Sequence, residues 1–197
     1  MESGIVISSK LIRLGGLAAM VGGVVFFAAT VSLWVLVNRL DFVLDDESYV
    51  EPVYASLPLV AMVAVASIAT LYFRAKIRRG WLALVASLVS FVGIGMVLVY
   101  VLTVMLGLLS FSVPEELVLL GMLLGTLGLV ALGLVTINIG GRVLPRWCGA
   151  ALVAGSPPSA FLGPLWGGIV LGGAWALVGY AIFRAGTRHT QHPSRVR

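Results

Sequence analysis

The stretch DFVLDDESYVEP, residues 41 to 52, holds five of the eight acidic residues in the chain. Asp45-Asp46-Glu47 clusters three carboxylates, and hard cations such as Ca²⁺ and Mg²⁺ take oxygen ligands. Calcium loops, however, place their ligands at defined spacing around a glycine turn, and this stretch has no glycine. The same residues suit a solvated loop, with Tyr49, Pro52 and Tyr54 packed at the level of lipid headgroups. Marking one side of a membrane is the better reading. A ligand contact, if there is one, would draw on Trp34, Asn38, Asp45, Asp46 and Tyr54, with the loop 156–164 beside them.

Other reactive residues are few. The only histidines, His189 and His192, fall in a polar tail, so no long apolar run offers an axial haem ligand or a metal cluster, and no cofactor is expected. The single Cys148 excludes an internal disulfide. Beside Arg146 and Trp147 it could accept a palmitoyl group, but a buried or interfacial thiol fits its apolar surroundings better. No Asp, Glu, Lys or Arg lies inside the long apolar runs, which counts against proton relays, ion-coupled carriers and voltage sensors. A serine nucleophile there would have no base beside it. The chain is expected not to be an enzyme.

The elements carrying these residues follow from composition. Of 197 residues, 60 % are hydrophobic and 11 % charged, with a mean hydropathy of +1.09. A soluble domain runs near a quarter charged. Five stretches carry no charge at all: Leu14 to Asn38, Val53 to Phe73, Gly80 to Pro114, Leu117 to Gly141 and Trp147 to Phe183. A bilayer needs about 20 apolar residues per helix, and a β-barrel would alternate apolar with polar. The fold expected is therefore all-α, a polytopic transmembrane helical bundle. The first apolar run exceeds a signal-peptide core and reads as a retained span. Residues 1–184 form the membrane domain and 185–197 a basic cytoplasmic tail.

Six spans fit, at roughly Lys10–Val37, Pro58–Phe73, Trp81–Ser110, Glu115–Ile139, Arg146–Phe161 and Leu165–Phe183. Pro157-Pro158 removes two backbone donors, so the fifth helix should break or kink there. A five-span alternative makes Trp147 to Phe183 one bent element. With six spans, 12 of the 13 basic residues fall on one side, leaving only Arg39. The acids fall opposite, leaving only Glu2. Basic loops stay cytoplasmic, so both termini are expected inside and the acidic stretch outside. Trp81 and Trp147 mark the inner boundary, Trp34 and Trp166 the outer one. Trp175 falls mid-span, where its indole N–H should seek a partner within the bundle.

The third span, at about 45 Å, exceeds a bilayer core of about 30 Å, and Gly93-Ile-Gly95 is the natural place for a bend. Ser112-Val-Pro-Glu115 reads as a helix start, with Ser112 as cap and Glu115 closing a capping box. RLGGLAAMVGG, RRGWLALVAS and RWCGAALVAGS each open an outward span, which suggests three similar hairpins. Any inner boundary of base, aromatic and small residues would look the same.

Small residues recur at helical spacing on three faces: Gly15, Ala19 and Gly23; Gly121, Gly125 and Gly128; Gly168 and Gly172. Such faces let backbones approach closely, which drives packing in lipid. They serve either the bundle itself or a second copy or partner, since spacing does not say whose helix lies opposite. Membrane lipids are expected partners, with anionic headgroups against the basic cytoplasmic tail. Nucleic acid is not.

The runs GGRVLPRWCGAALVAG and AWALVGYAIFR resemble a pattern in uncharacterised multi-pass inner-membrane proteins of actinobacteria. There a Leu-Pro-Arg-Trp entry opens the penultimate span, and a Gly-Tyr-aliphatic-aromatic-Arg exit closes the last. The resemblance covers about the last third of the chain and implies a bacterial cytoplasmic-membrane protein. It departs at GSPPSAFLGP, where a smooth apolar span would be expected. Two functions stay open: a non-enzymatic membrane subunit or scaffold packing through glycine-rich faces, and a small-solute or lipid-binding transport component. The second is similar in size and topology to the substrate-capture subunits of energy-coupling-factor importers.

Overall fold

The computed structural model describes residues 9–39, 51–74, 80–105, 114–139, 144–161 and 163–191, and all of its regular structure is helical. The elements are α1 (Ser9–Arg39), α2 (Glu51–Arg74), α3 (Gly80–Met105), α4 (Glu115–Ile139), α5 (Arg146–Phe161) and α6 (Gly163–Gln191). Each packs on the next in sequence, and α6 returns to pack on α1, closing a ring. The α1–α6 contact is the most extensive of all, and α1–α2 the least among sequence neighbours. One diagonal pair, α2 and α6, also touches within the ring.

The start of α1 and the end of α6 lie together. Gly16 sits against Phe183, Gly23 against Ala176, and Gly168 against Thr30, so the two helices run antiparallel. The same reasoning orders α3 against α4 through Ser90 with Gly128, and Gly93 with Gly125. One end of the bundle thus carries Lys10, Arg146 and Arg184 and is basic. The opposite end carries Glu51, Glu115 and Glu116.

Four helices are long and apolar enough to cross a membrane: Ile12–Ser32, Gly80–Thr103, Glu116–Ile139 and Gly167–Thr187. In α2 the described apolar stretch is shorter, Ala61–Phe73. The 16 residues of α5 make about 24 Å of helix, less than a bilayer core. Large apolar side chains cover the outside of the bundle as well as filling its core. Ser90 is fully buried on α3 while Leu88, two residues away, is 65 % exposed. On α4, Gly121 is buried and Leu119 is 66 % exposed. Water would penalise such a surface, whereas lipid solvates it. The chain therefore has the character of a membrane protein.

Helix starts follow backbone accounting. The Pro114 carbonyl accepts from the Leu117 amide at 2.9 Å, and the Pro145 carbonyl from the Cys148 amide at 3.0 Å. Proline suits both places because the first amides of a helix have no partner in any case. The first turn of α4 thus begins at Pro114, and the expected Ser112 cap lies outside the described residues.

Two expected weak points do not interrupt their helices. Instead of breaking at Pro157-Pro158, α5 runs on to Phe161. The pair removes donors that would reach the Val153 and Ala154 carbonyls, but it falls in the last turns, where few ladder bonds remain to be lost. Helix α3 likewise continues through Gly93-Ile-Gly95. Two further boundaries differ. Helix α2 begins at Glu51, with Pro52 tolerated in the first turn and Pro58 inside it, and α6 extends to Gln191, well past Phe183.

Candidate functional site

Glycines make the seams of the ring, and what each faces follows from where an added Cβ would land. On α1, a Cβ at Gly16 would strike the Phe183 amide, and one at Gly23 the Ala176 amide. On α6, a Cβ at Gly179 would strike Met20, and one at Gly172 would lie 2.8 Å from the Phe27 nitrogen. These obstacles are backbone atoms, which cannot rotate away. Gly168 meets the Thr30 side chain at 2.9 Å and the Phe26 ring at 3.2 Å. Residues 16, 23, 27 and 30 of one helix therefore mesh with 168, 172, 176, 179 and 183 of the other.

Two more seams repeat this construction. Between α3 and α4, Gly93 abuts the Gly125 backbone and Gly128 abuts Ser90, while Gly121 meets the Met96 Cβ at 2.9 Å. Gly125 itself has ordinary room, with Ile94 at 3.6 Å. Between α4 and α5, a Cβ at Gly133 would lie 2.7 Å from the Gly149 carbonyl oxygen, and Gly149 reciprocally abuts that of Gly133. Gly155 meets Ala174 across the α5–α6 seam at 2.8 Å.

Every glycine of the three small-residue faces thus meets another helix of this chain. The expected face of Gly15, Ala19 and Gly23 is divided, however. Gly15 abuts the Ser67 hydroxyl on α2, Gly23 faces α6, and the fully buried Ala19 lies against Gly179. Eight residues at about 100° each leave 23 rotated by about 80° from 15, enough to turn the two toward different neighbours. Sequence reasoning missed Gly16, Gly93, Gly133, Gly149 and Gly179. The signal existed for α6, where residues 168, 172, 176 and 179 are all Gly or Ala.

Among the described residues the buried polar side chains carry short hydroxyls. Among the described residues the buried polar side chains are Thr30, Ser67, Ser87, Ser90, Thr136 and Ser156. Most donate to the carbonyl four residues back, as Thr30 does to Phe26 at 2.7 Å and Ser90 to Ala86 at 2.9 Å. Such bonds spend the hydroxyl inside its own helix. One bond crosses the ring. The Tyr72 hydroxyl on α2 donates to Thr136 Oγ1 on α4 at 3.1 Å, and Thr136 donates onward to the Leu132 carbonyl at 2.8 Å.

Among the described residues, three buried polar atoms have no hydrogen-bond partner: Arg13 Nε, Ser87 Oγ and Trp175 Nε1. Trp175 is buried mid-bundle, and the partner expected for its N–H is not there. Most of the buried Ser and Thr hydroxyls are turned to their own helices instead. Arg13 stacks its guanidinium over the Phe183 ring, 5.5 Å from the centroid, a cation–π contact that helps fix the basic end of the α1–α6 seam. Cys148 is a free, fully buried thiol, an arrangement closed to palmitoylation.

The candidate outer ligand residues are not gathered by the described structure. Trp34 is half-buried near the end of α1. The side chains of Asn38 and Tyr54, and the whole of Asp45 and Asp46, lie outside the described residues. At the basic end Trp81 and Trp147 are exposed, as rings at a membrane boundary are. Trp166 also lies outside the described side chains. No three His, Cys, Asp or Glu come together among the described residues. Compared with protein-family models, curated proteins and solved structures, the chain matches none.

Proposed function

We propose that this chain is a six-span protein of the bacterial cytoplasmic membrane with both termini inside, acting as a non-enzymatic subunit or scaffold. The observation that carries the reading is the antiparallel seam of α1 and α6, backbone against backbone at Gly16, Gly23, Gly172 and Gly179. An even number of crossings brings first and last helices together in that sense. Five crossings would make them parallel. The basic residues cluster at the end where those helices begin and finish, which supports a cytoplasmic assignment. A ring closed by glycines around hydroxyls bonded to their own helices is built for shape. It presents a rigid body to lipid and to a partner membrane protein or second copy.

Topology and role have separate tests. In a Cys148→Ser background, Asp45→Cys should react with a membrane-impermeant maleimide on intact cells, and Arg188→Cys only after permeabilisation. Labelling of Arg188→Cys on intact cells would overturn the six-span arrangement. For the role, native mass spectrometry after gentle release from the membrane should give subunits in a fixed multiple or with another chain. A discrete added mass of small-solute size would instead favour the transport component.

A further inference from the structure

At the basic end of the α1–α6 seam one arginine is held in place without being neutralised. The Arg13 stem lies in a notch that glycine leaves open: a Cβ at Gly186 would stand 2.7 Å from Arg13 Cγ and 3.3 Å from its backbone nitrogen. The head lies over the Phe183 ring, 5.5 Å from the centroid. Only its Nε is enclosed without a partner, and the two terminal nitrogens stay at the surface of the half-buried side chain. A stem against backbone and a head on a ring restrict rotamers that an arginine would otherwise sample freely.

A second cation stands beside it. Arg184 follows Phe183 directly in α6 and is exposed. Among the described residues no acid shares this end, since Glu51, Glu115 and Glu116 open α2 and α4 at the far end of the bundle. Two positive charges side by side, one of them partly desolvated, call for an anion. A guanidinium fork held in one orientation suits the paired oxygens of a phosphate.

The surface below the cations selects which phosphate. Arg13, Leu17 and Val24 share one face of α1 by helical spacing, and Leu177, Tyr180 and Arg184 share one face of α6. The two leucines, the valine and the tyrosine are all exposed. Both faces turn outward, because the core side chains Ala19 of α1 and Val178 and Ile182 of α6 lie across the seam from them. From Arg13 to Val24 this apolar strip runs about 16 Å, roughly half of a bilayer core of about 30 Å. A soluble anion would gain nothing from the strip, whereas a lipid of one leaflet matches both its charge and its length.

We propose that Arg13 and Arg184 seat the phosphate of one anionic glycerophospholipid of the inner leaflet, with an acyl chain along Leu17, Val24 and Leu177. This rests on the membrane reading above.

The test uses the full chain in nanodiscs of equimolar phosphatidylglycerol and phosphatidylcholine, with lipid retained on the ejected protein read by native mass spectrometry. Wild type should retain phosphatidylglycerol in preference to phosphatidylcholine. Arg184→Gln changes an exposed side chain and leaves the packing untouched. It should lower that preference roughly fivefold, the effect of one basic residue at an anionic surface, and adding Arg13→Gln should lower it as much again. Arg195→Gln with Arg197→Gln, which removes charge from the tail, should leave it unchanged. A preference that follows the tail arginines instead would overturn the seat, as would one that survives Arg13→Gln with Arg184→Gln, or a lipid-free dimer split by those same glutamines. If Arg13→Gln fails to fold, Arg184→Gln decides alone, and an unchanged preference overturns the seat. Failure of the wild type to enter the nanodisc would overturn the membrane reading itself, whereas entry without a headgroup preference overturns only the seat.

Discussion

Helix α1 has two neighbours and treats them differently. Toward α6 it offers Gly16 and Gly23, and the two backbones meet with no room for a methyl group. Toward α2 it offers Gly15, which abuts the Ser67 hydroxyl, and a groove lined by Ile12, Ala18, Val63, Ala66 and Thr70 stays open along that contact. The tight seam joins elements at opposite ends of the chain, and the loose one joins consecutive elements. In lipid there is no hydrophobic force to hold distant helices together, so fit must supply the association. Consecutive helices are already held close by their connection. Close fit is required where the chain gives no help; the consecutive pairs α3–α4 and α4–α5 have it as well, and α1–α2 is the exception.

The comparison breaks first at the tight seam. Gly23→Leu or Gly179→Leu would drive a side chain into backbone that cannot rotate away. Overpacking costs about 1–3 kcal/mol where neighbours can yield, and here they cannot. Both variants should lie at or above the top of that range, a loss of roughly 6 °C or more in a detergent thermal-shift assay. Wild-type melting would mean that the α1–α6 seam does not hold the ring.

Next comes Gly168, whose obstacles are side chains. Gly168→Ala must displace Thr30, whose hydroxyl is tied to the Phe26 carbonyl. It should cost about 1 kcal/mol, the low end of overpacking. Against it, Asp45→Asn with Asp46→Asn should leave melting unchanged, since a solvated topology marker bears no packing. A double variant less stable than Gly168→Ala would restore weight to an outer ligand site.

Smaller still is the bond that crosses the ring. Tyr72→Phe removes a donor to Thr136 but leaves the Thr136 bond to Leu132 intact and orphans no buried donor. Hydrogen bonds between membrane helices average about 0.6 kcal/mol, so a shift of about 2 °C is expected. A loss as large as that of Gly23→Leu would make this bridge, rather than the glycine seams, the keystone of the fold.

Much of this architecture was legible, and the reasons differ by element. Charge-free runs located α4 and α5 to the residue, because proline at 114 and 145 and the charges beside them mark where a helix enters. The α1–α6 partnership was not legible. Gly15, Ala19 and Gly23 form as good a small-residue row as Gly16 and Gly23, and spacing within one helix carries no information about the rotation of its neighbour. The groove was equally hidden, since it is a gap between two helices whose sequences are both apolar. The proline pair does not end the helix for a third reason: its penalty depends on how much helix follows, and little follows in α5.

Gly93 and Gly95 make the finest form of the comparison, being two residues apart on one helix. A Cβ at Gly93 would strike the Gly125 amide, whereas one at Gly95 meets nothing within 4 Å. In the sequence both read as one bend point. In the structure the first is a seam residue and the second faces away from the bundle, where glycine only weakens the helix. Replacing glycine by alanine in an unobstructed helix interior gains up to about 1 kcal/mol. Gly95→Ala should therefore hold or raise the melting temperature, by as much as about 3 °C, while Gly93→Ala lowers it. Equal losses at both positions would mean that Gly95 also meets a partner, and the outer face of α3 would then be an interface between subunits.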